Sequence, residues 1–352
     1  AGRGARAAAS WLRLRRDIVP EEELRRVIHA IDPLTGVMGG RGDHIVAEVI
    51  CVKDIRPLGQ GVIGALRFQP VVQLALHDVQ QVDGVLRRVM PRRGPLVSQV
   101  VLPQEFSLQA PVLWDLDSPQ LYTLVSTLRR GGAVIDRYET PFGIRDIRFD
   151  PDKGFFLNGR SVKMKGGDIH QDAGSLGAAI PDRAHERRIA LMKETGFNAI
   201  RCSHNPPARE FLDACDRLGM LVIDEAFDKW KWGYYTQWYD QWWKEDLAAM
   251  VLRDRNHPSV VLWSVGNEEW GIEWNDYGRR IGAAMREFCH RLDPTRLACA
   301  ATSSGPTIVE PMDVAGYNYI LQNPVEEHRA RYPQRIALGS EETTGCGTRG
   351  VY

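Results

Sequence analysis

The residues able to do chemistry gather in short polar clusters, each following a β-rich run. They are His170 and Asp172 in IHQD, His204 and Asn205 in SHNP, Asp224 and Glu225 in IDEA, and Asn267, Glu268 and Glu269 in GNEEW. Further along stand Tyr317 and Tyr319 in YNY, then Glu341 and Glu342 in GSEE. Acids dominate, and no serine or cysteine stands in a nucleophile-elbow context. Two carboxylates facing each other suit the cleavage of a glycosidic bond. One is protonated to assist the leaving oxygen, while the other is ionised to attack the anomeric carbon. Glu268 and Glu341 end two different runs, so a separation of roughly 5–5.5 Å, the retaining geometry, is expected. The imidazoles of His170 and His204 and the amides beside them can hydrogen-bond sugar hydroxyls.

Aromatic residues point the same way. Eight of the ten tryptophans fall between 230 and 274, and an indole offers a stiff face for the C–H side of a sugar ring. Trp242, Trp243 and Trp263 lie within an expected helix and strand and read as core. Trp230, Trp232, Trp270 and Trp274 fall in loops, where binding and packing suit them equally; Trp230 and Trp270 are taken as substrate contacts.

These clusters need elements to hold them. From about residue 160 strand and helix patterns alternate: strands at 162–167, 197–203, 220–226, 259–268, 296–302, 313–319 and 335–342, with helices at 183–196, 208–219, 240–255, 275–292 and 325–332. Repeated βα units predict a parallel sheet, and seven of them favour a (β/α)8 TIM barrel, whose functional side chains sit where strands end. An eighth unit is not seen. Upstream, the runs SQVVL, LYTLVSTLRR, AVIDRYE and IRDIRF, split by turn signals, predict a small antiparallel sandwich. Residues 1–96 give weaker signals, a helix at 21–31 and a strand at 44–52, and are left as an unassigned leader.

The ordered set of motifs resembles glycoside hydrolase family 2, the β-galactosidase, β-glucuronidase and β-mannosidase group. The matching stretches include LWDLDSPQLYTL (113–124), FFLNGRSVKMKGGDIHQDAGSLGAA (155–179), GFNAIRCSHNPPAREFLDACDRLGMLVIDEAFDKW (196–230) and DLAAMVLRDRNHPSVVLWSVGNE (246–268). The resemblance covers roughly residues 97–352. It implies a multidomain chain, with a partial immunoglobulin-like β-sandwich at 97–149 before a catalytic TIM barrel at 150–352 cut short after its seventh strand. By the same resemblance Glu268 is the acid/base, Glu341 the nucleophile, and Asn267 a partner of the sugar 2-hydroxyl. His170 and His204 bind the glycone, and Tyr319, or alternatively Tyr317, supports the nucleophile. Asp172 and Asn205 complete the expected substrate contacts.

Three departures from the family pattern stand out. No jelly-roll is recognisable in residues 1–96. Gln171 stands where a second histidine is common. Lys229 and Lys231 occupy the positions that carry a Glu and a His in metal-dependent members, so no metal and no cofactor are expected. The implied activity is that of a retaining exo-β-glycosidase acting on a β-glycoside or oligosaccharide, β-galactosidase first. β-Glucuronidase and β-mannosidase are the family alternatives, and an inactive carbohydrate-binding fragment is the alternative of another class.

Composition limits the partners. The 352 residues are 43% hydrophobic and 26% charged, with 45 basic and 45 acidic side chains. A net charge of zero argues against a general nucleic-acid or membrane-surface binder, and no run of 18 apolar residues predicts a transmembrane helix. The zero is a cancellation: the first hundred residues carry 15 basic against 10 acidic groups, and the remainder 30 against 35. Six scattered cysteines without a C-x-x-C pair suggest neither a zinc site nor a disulfide scaffold. The first residues lack an initiating Met and a signal-peptide pattern. Compartment and oligomeric state, a homo-oligomer included, stay open.

Overall fold

The computed structural model describes residues 44–53, 63–68, 71–72, 79–82, 85–88, 100–101, 104–130, 133–319 and 325–342. They fall into two compact units: one up to Val112 together with Tyr122–Phe142, the other Leu113–Leu121 together with the chain from Gly143 onward. The helix expected at 21–31 lies outside the described residues.

The first unit is antiparallel β. In chain order its strands are β1 (His44–Lys53), β2 (Ile63–Phe68), β3 (Val71–Val72), β4 (Val79–Val82), β5 (Val85–Arg88), β6 (Val100–Val101), β7 (Gln104–Gln109), β8 (Tyr122–Arg130) and β9 (Ala133–Phe142). A five-stranded sheet runs β4-β5-β1-β8-β9, and β2 pairs with β7 and β3 with β6. The strand expected at 44–52 is therefore β1, and it pairs with β8. Tyr122 and Phe142 stand opposite one another across β8 and β9 and stack at 5.6 Å, a cross-strand pair of the kind that stabilises sheets. The Tyr122 hydroxyl accepts the N–H of Val112 at 2.8 Å.

In the second unit a small antiparallel sheet, β10 (Ile147–Asp150), β11 (Gly154–Leu157) and β12 (Arg160–Ser161), precedes seven parallel strands. These are β13 (Gly166–His170), β14 (Ala199–Ser203), β15 (Leu221–Glu225), β16 (Val260–Asn267), β17 (Leu297–Thr302), β18 (Val314–Asn318) and β19 (Ile336–Glu341), hydrogen-bonded in sequence order. Helices α1 (Asp182–Glu194), α2 (Arg209–Leu218), α3 (Thr236–Asp254), α4 (Asp276–Leu292) and α5 (Val325–Arg331) connect most of them. This is a TIM-barrel domain with seven of its strands among the described residues. No described helix is long and apolar enough to cross a membrane.

The first barrel strand begins later than expected, at 166 rather than 162. The Val162 N–H donates to the Phe155 carbonyl and so extends the small sheet instead. The approach to β14 is also close: a Cβ on Gly166 would lie 2.8 Å from the Ala199 carbonyl oxygen.

Alternation along the parallel strands separates two surfaces. Val222, Trp263, Val265, Ala300 and Ala315 pack with helix residues Phe211, Leu247, Met250 and Met285 into one buried cluster. Ile223, Leu262, Cys299 and Val314 form a second. A third closes the N-terminal end of the strands, where Trp114 is fully buried among Phe155, Leu157, Leu221 and Val261. Its Nε1–H donates to the Asp216 carbonyl at 2.8 Å, which ties the Leu113–Leu121 segment to the end of α2.

Candidate active site

The chemistry collects at the C-terminal ends of the parallel strands. Its centre is Arg201 on β14, whose side chain is 3% exposed. Nε and Nη2 donate to Glu225 Oε2 at 2.9 and 2.7 Å, Nη2 also to Asn267 Oδ1 at 2.9 Å, and Nη1 to Glu341 Oε1 at 2.9 Å. Asp168 Oδ2 lies 3.4 Å from Nη1. Burial opposes the charge on Arg201, but Glu225 and Asp168 outweigh it and raise its pKa above the ordinary value. Conversely, burial would raise Glu225, while Arg201 and His204 hold it below the usual carboxylate range. Burial pushes Asp168 up to about 6 against the pull of Arg201, with Glu341 and Glu225 adding to the rise.

Glu341 ends β19. One oxygen takes the Arg201 bond, and the other accepts the Tyr319 hydroxyl at 2.8 Å. That bond contributes most to pushing Tyr319 up to about 12. The Tyr319 backbone N–H also donates to the Glu341 carbonyl, at 2.6 Å.

Glu268 follows β16 and is buried. Its Oε1 accepts Asn318 Nδ2 at 2.9 Å. Burial raises its pKa, the Asn318 bond opposes the rise, and the charge of Glu341 adds to it. Glu268 (φ 50°) and Tyr319 (φ 57°) both hold left-handed backbone, which is costly for non-glycine residues and clusters at functional sites.

Asn267 joins the two halves. Its Oδ1 accepts from Arg201 and from Asn318 Nδ2 at 3.0 Å, and its Nδ2 donates to Asp228 Oδ1 at 3.2 Å. Ser340 Oγ donates to Asn318 Oδ1 at 2.7 Å. His204 Nδ1 pairs with Glu225 Oε1 at 2.8 Å, while its Nε2 stands 3.8 Å from Glu341 Oε1. Burial lowers the His204 pKa, but the Glu225 bond wins and raises it.

Of the residues singled out in the sequence, Glu225, Glu268, Glu341, Asn267, His204 and Tyr319 come together in this network. His170 adjoins it, its ring edge-on to that of His204 with centroids 5.1 Å apart. Asp172 and Asn205 are exposed in the loops after His170 and His204. Trp270, 56% exposed, anchors its Nε1–H on Ser303 Oγ at 2.9 Å.

Two expectations are corrected. Tyr317 lies in the core on the helix-facing side of β18, with its ring against His328 at 4.6 Å. Strand alternation gives the inward position to Asn318 instead. Trp230 is fully buried, and its Nε1–H donates to the Val265 carbonyl at 2.5 Å. It fills space that only a glycine at 266 leaves, since a Cβ there would sit 2.5 Å from that nitrogen.

Arg201, Asp168 and Asn318 were missed as site residues. Arg201 and Asp168 occupy the middles of strands, where no loop signal marks them. They are register partners across β13 and β14, so their opposite charges on one inward face were the available clue.

Lys229 and Lys231 bind Asp228 Oδ1 and Asp240 Oδ1, each at 2.6 Å. A cluster of Asp213, Asp216 and His257 has metal-like spacing, with its ligand atoms within 4.8 Å of one another. It lies at the opposite end of β16, and the Asp216 carboxylate is taken up by His257 Nδ1 at 2.6 Å and by the Ser259 N–H at 3.0 Å. The free thiols of Cys202, Cys215, Cys289 and Cys299 are all buried.

Comparison with known proteins finds two family descriptions along the chain. "Glycosyl hydrolases family 2, TIM barrel domain" matches residues 151–312, and "Glycosyl hydrolases family 2" matches residues 74–145. A beta-galactosidase of Bacteroides ovatus is 39% identical over 294 residues, which is 72% of this chain and 34% of the relative. A beta-glucuronidase of Bacteroides fragilis is 34% identical over 205 residues, 56% of this chain and 29% of the relative. The crystal structure of a glycosyl hydrolase family 2 member from Bacteroides cellulosilyticus superposes with a TM-score of 0.70 at 38% identity, covering 85% of this chain and 40% of that one. The chain thus spans about a third of the length of these curated relatives.

Proposed function

Because the chain belongs to glycoside hydrolase family 2, we propose that it hydrolyses terminal β-glycosidic bonds with retention of configuration. Glu341 attacks the anomeric carbon while Glu268 gives its proton to the leaving oxygen. A water then enters, Glu268 takes its proton, and the sugar leaves Glu341 as the free hemiacetal. One observation carries this reading: two carboxylates share one network but receive opposite treatment. Burial favours the protonated form of Glu268, whereas Glu341 accepts hydrogen bonds from a guanidinium and a phenol.

Charge supports a neutral glycone, with β-galactosidase the preferred activity. Asp168, Glu225 and Glu341 surround Arg201, whose donors already reach Glu225, Asn267 and Glu341. Lys229, the nearby amine, is held by Asp228. Among the described residues of the site the carboxylates outnumber the cations, which suits a neutral glycone. His170, Asp172, His204, Asn205 and Asn267 supply the hydroxyl contacts.

A panel of aryl β-glycosides tests the assignment. The expected result is fastest turnover of the galactoside and loss of nearly all of it in Glu341→Gln. Near-normal activity in that variant would sink the nucleophile assignment, and a preference for the glucuronide would sink the galactoside reading. Galactose binding by a wild-type protein that hydrolyses no member of the panel would instead favour a binding fragment.

A further inference from the structure

The segment after β13 carries Asp172, with His170 at the strand's end, and it is poorly held by packing. Asp172 and residues 174–179 are exposed, and none of the short helical turn at Gly174–Leu176 is buried. A small cavity remains between this loop and helices α1 and α2, with Gln171, His185, Arg188 and Phe211 among its lining. His185 is buried, and its Nδ1 finds no hydrogen-bond partner among the described residues. With a gap beneath it, the loop cannot take its position from side-chain packing alone, so its hydrogen bonds must set it.

Two side chains supply such bonds, both to backbone carbonyls. Arg188 stands on α1 in one stripe with His185, Ile189 and Met192, the face this helix turns to the core. Its Nη1 donates to the His170 carbonyl at 3.4 Å and its Nη2 to the Asp172 carbonyl. One planar, charged fork thus spans the start of the loop and ties both carbonyls to the helix. From the loop itself, Gln171 Nε2 donates to the Pro206 carbonyl at 3.0 Å. Pro206 follows Asn205 in the loop after β14, two residues past His204. The amide therefore joins the two loops that carry expected glycone contacts. Neither set of bonds occupies the side chain of His170, Asp172, His204 or Asn205.

We propose that Arg188 and Gln171 are positioning residues for glycone recognition, holding the loop after β13 so that His170 and Asp172 reach hydroxyls of the terminal sugar. Neither touches the substrate. This rests on the glycosidase reading above. The glycone is gripped before and during bond cleavage alike, so the clamp acts on binding and leaves Glu268 and Glu341 where they are.

The test measures kcat and KM separately on the aryl glycoside that the panel selects. Arg188→Met keeps a long, helix-compatible side chain and removes its donors. KM should rise about tenfold, the scale of a lost charged hydrogen bond, with kcat within about threefold of wild type. Arg188→Lys should recover most of the loss, because an ammonium still donates to carbonyl oxygens. Gln171→Met should raise KM about threefold with the urea midpoint unchanged, which decides the matter if Arg188→Met destabilises α1. When Arg188→Met is combined with Asp172→Ala, the rise in KM should fall short of the product of the single effects, since both act through one contact. Multiplicative effects, unchanged KM in both methionine variants, losses in kcat alone, or a lysine variant no better than methionine would overturn the clamp and leave the glycosidase reading standing. A wild-type protein that hydrolyses no aryl glycoside would overturn both.

Discussion

At the scale of single residues, the proposed acid/base Glu268 has its pKa raised above the ordinary value. Burial holds it up and Asn318 pulls it down through a bond to the ionised form. Removing that donor in Asn318→Ala should raise the Glu268 pKa, because the lost bond favoured the charged state. A hydrogen bond to a charged group corresponds to about one pKa unit. The alkaline limb of the kcat pH profile should move up by about that much, with kcat itself reduced; a shift in the acid direction would contradict this assignment. Loss of the proton donor should also depend on the leaving group. Glu268→Gln is expected to lose ~10²–10⁴-fold on a glycoside with an alcohol leaving group. Loss on a dinitrophenyl glycoside should be much smaller, because that phenolate departs without protonation; its first step can be followed by stopped-flow absorbance. Both acids were legible in the sequence, since each ends a β-rich run before a loop. Asn318 was not, because it stands between two tyrosines: alternation along β18 sends Tyr317 to the core and Asn318 inward, and the left-handed backbone at Tyr319 then brings that hydroxyl to Glu341 as well.

At the scale of elements, the end of β16 and the loop after it join core to site, and two substitutions probe them. Gly266→Ala would drive a methyl into the indole of Trp230. Overpacking of this kind costs about 1–3 kcal/mol, to be read from urea denaturation, and it should displace Glu268 and lower activity as well. Glu269 offers a test of sign. Burial pushes its carboxyl up to about 8, against the pull of the Lys231 N–H. An acid whose folded pKa lies above its unfolded value of about 4.3 binds more protons when folded, so its contribution to stability falls as pH rises between those values. Wild type should lose stability between pH 5 and pH 8, and Glu269→Gln should flatten that loss. An unchanged slope in the variant would assign the effect to other groups.

The helices and strands of the parallel sheet were read from hydrophobic periodicity nearly to their ends, because amphipathic helices and buried strands carry strong and different periods. The first barrel strand slipped by four residues. Val162 to Lys165 have strand-like composition, but they form the link between the two sheets: Val162 bonds back to Phe155, while the Lys165 carbonyl accepts the N–H groups of Asn198 and Ala199. Trp230 misled for a related reason. A tryptophan in a loop reads as available, and nothing local shows that Gly266, thirty-six positions later, makes room for it.

At the scale of the whole molecule, the balanced charge of the sequence resolves into unlike parts. The residues after 100 carry the acidic excess, and the carboxylates of the candidate site sit among them. The site is assembled wholly within the second compact unit, from strands β13 to β19. Its central claim is a covalent glycosyl intermediate on Glu341. The most direct measurement is mass spectrometry of the protein after incubation with an activated 2-deoxy-2-fluoro β-galactoside, whose first step outruns its second. The account predicts one added fluoroglycosyl group, located by peptide mapping on Glu341 and absent in Glu341→Gln. A label on any other residue, or turnover of aryl galactosides without a trapped adduct and with inversion at the anomeric carbon, would contradict it.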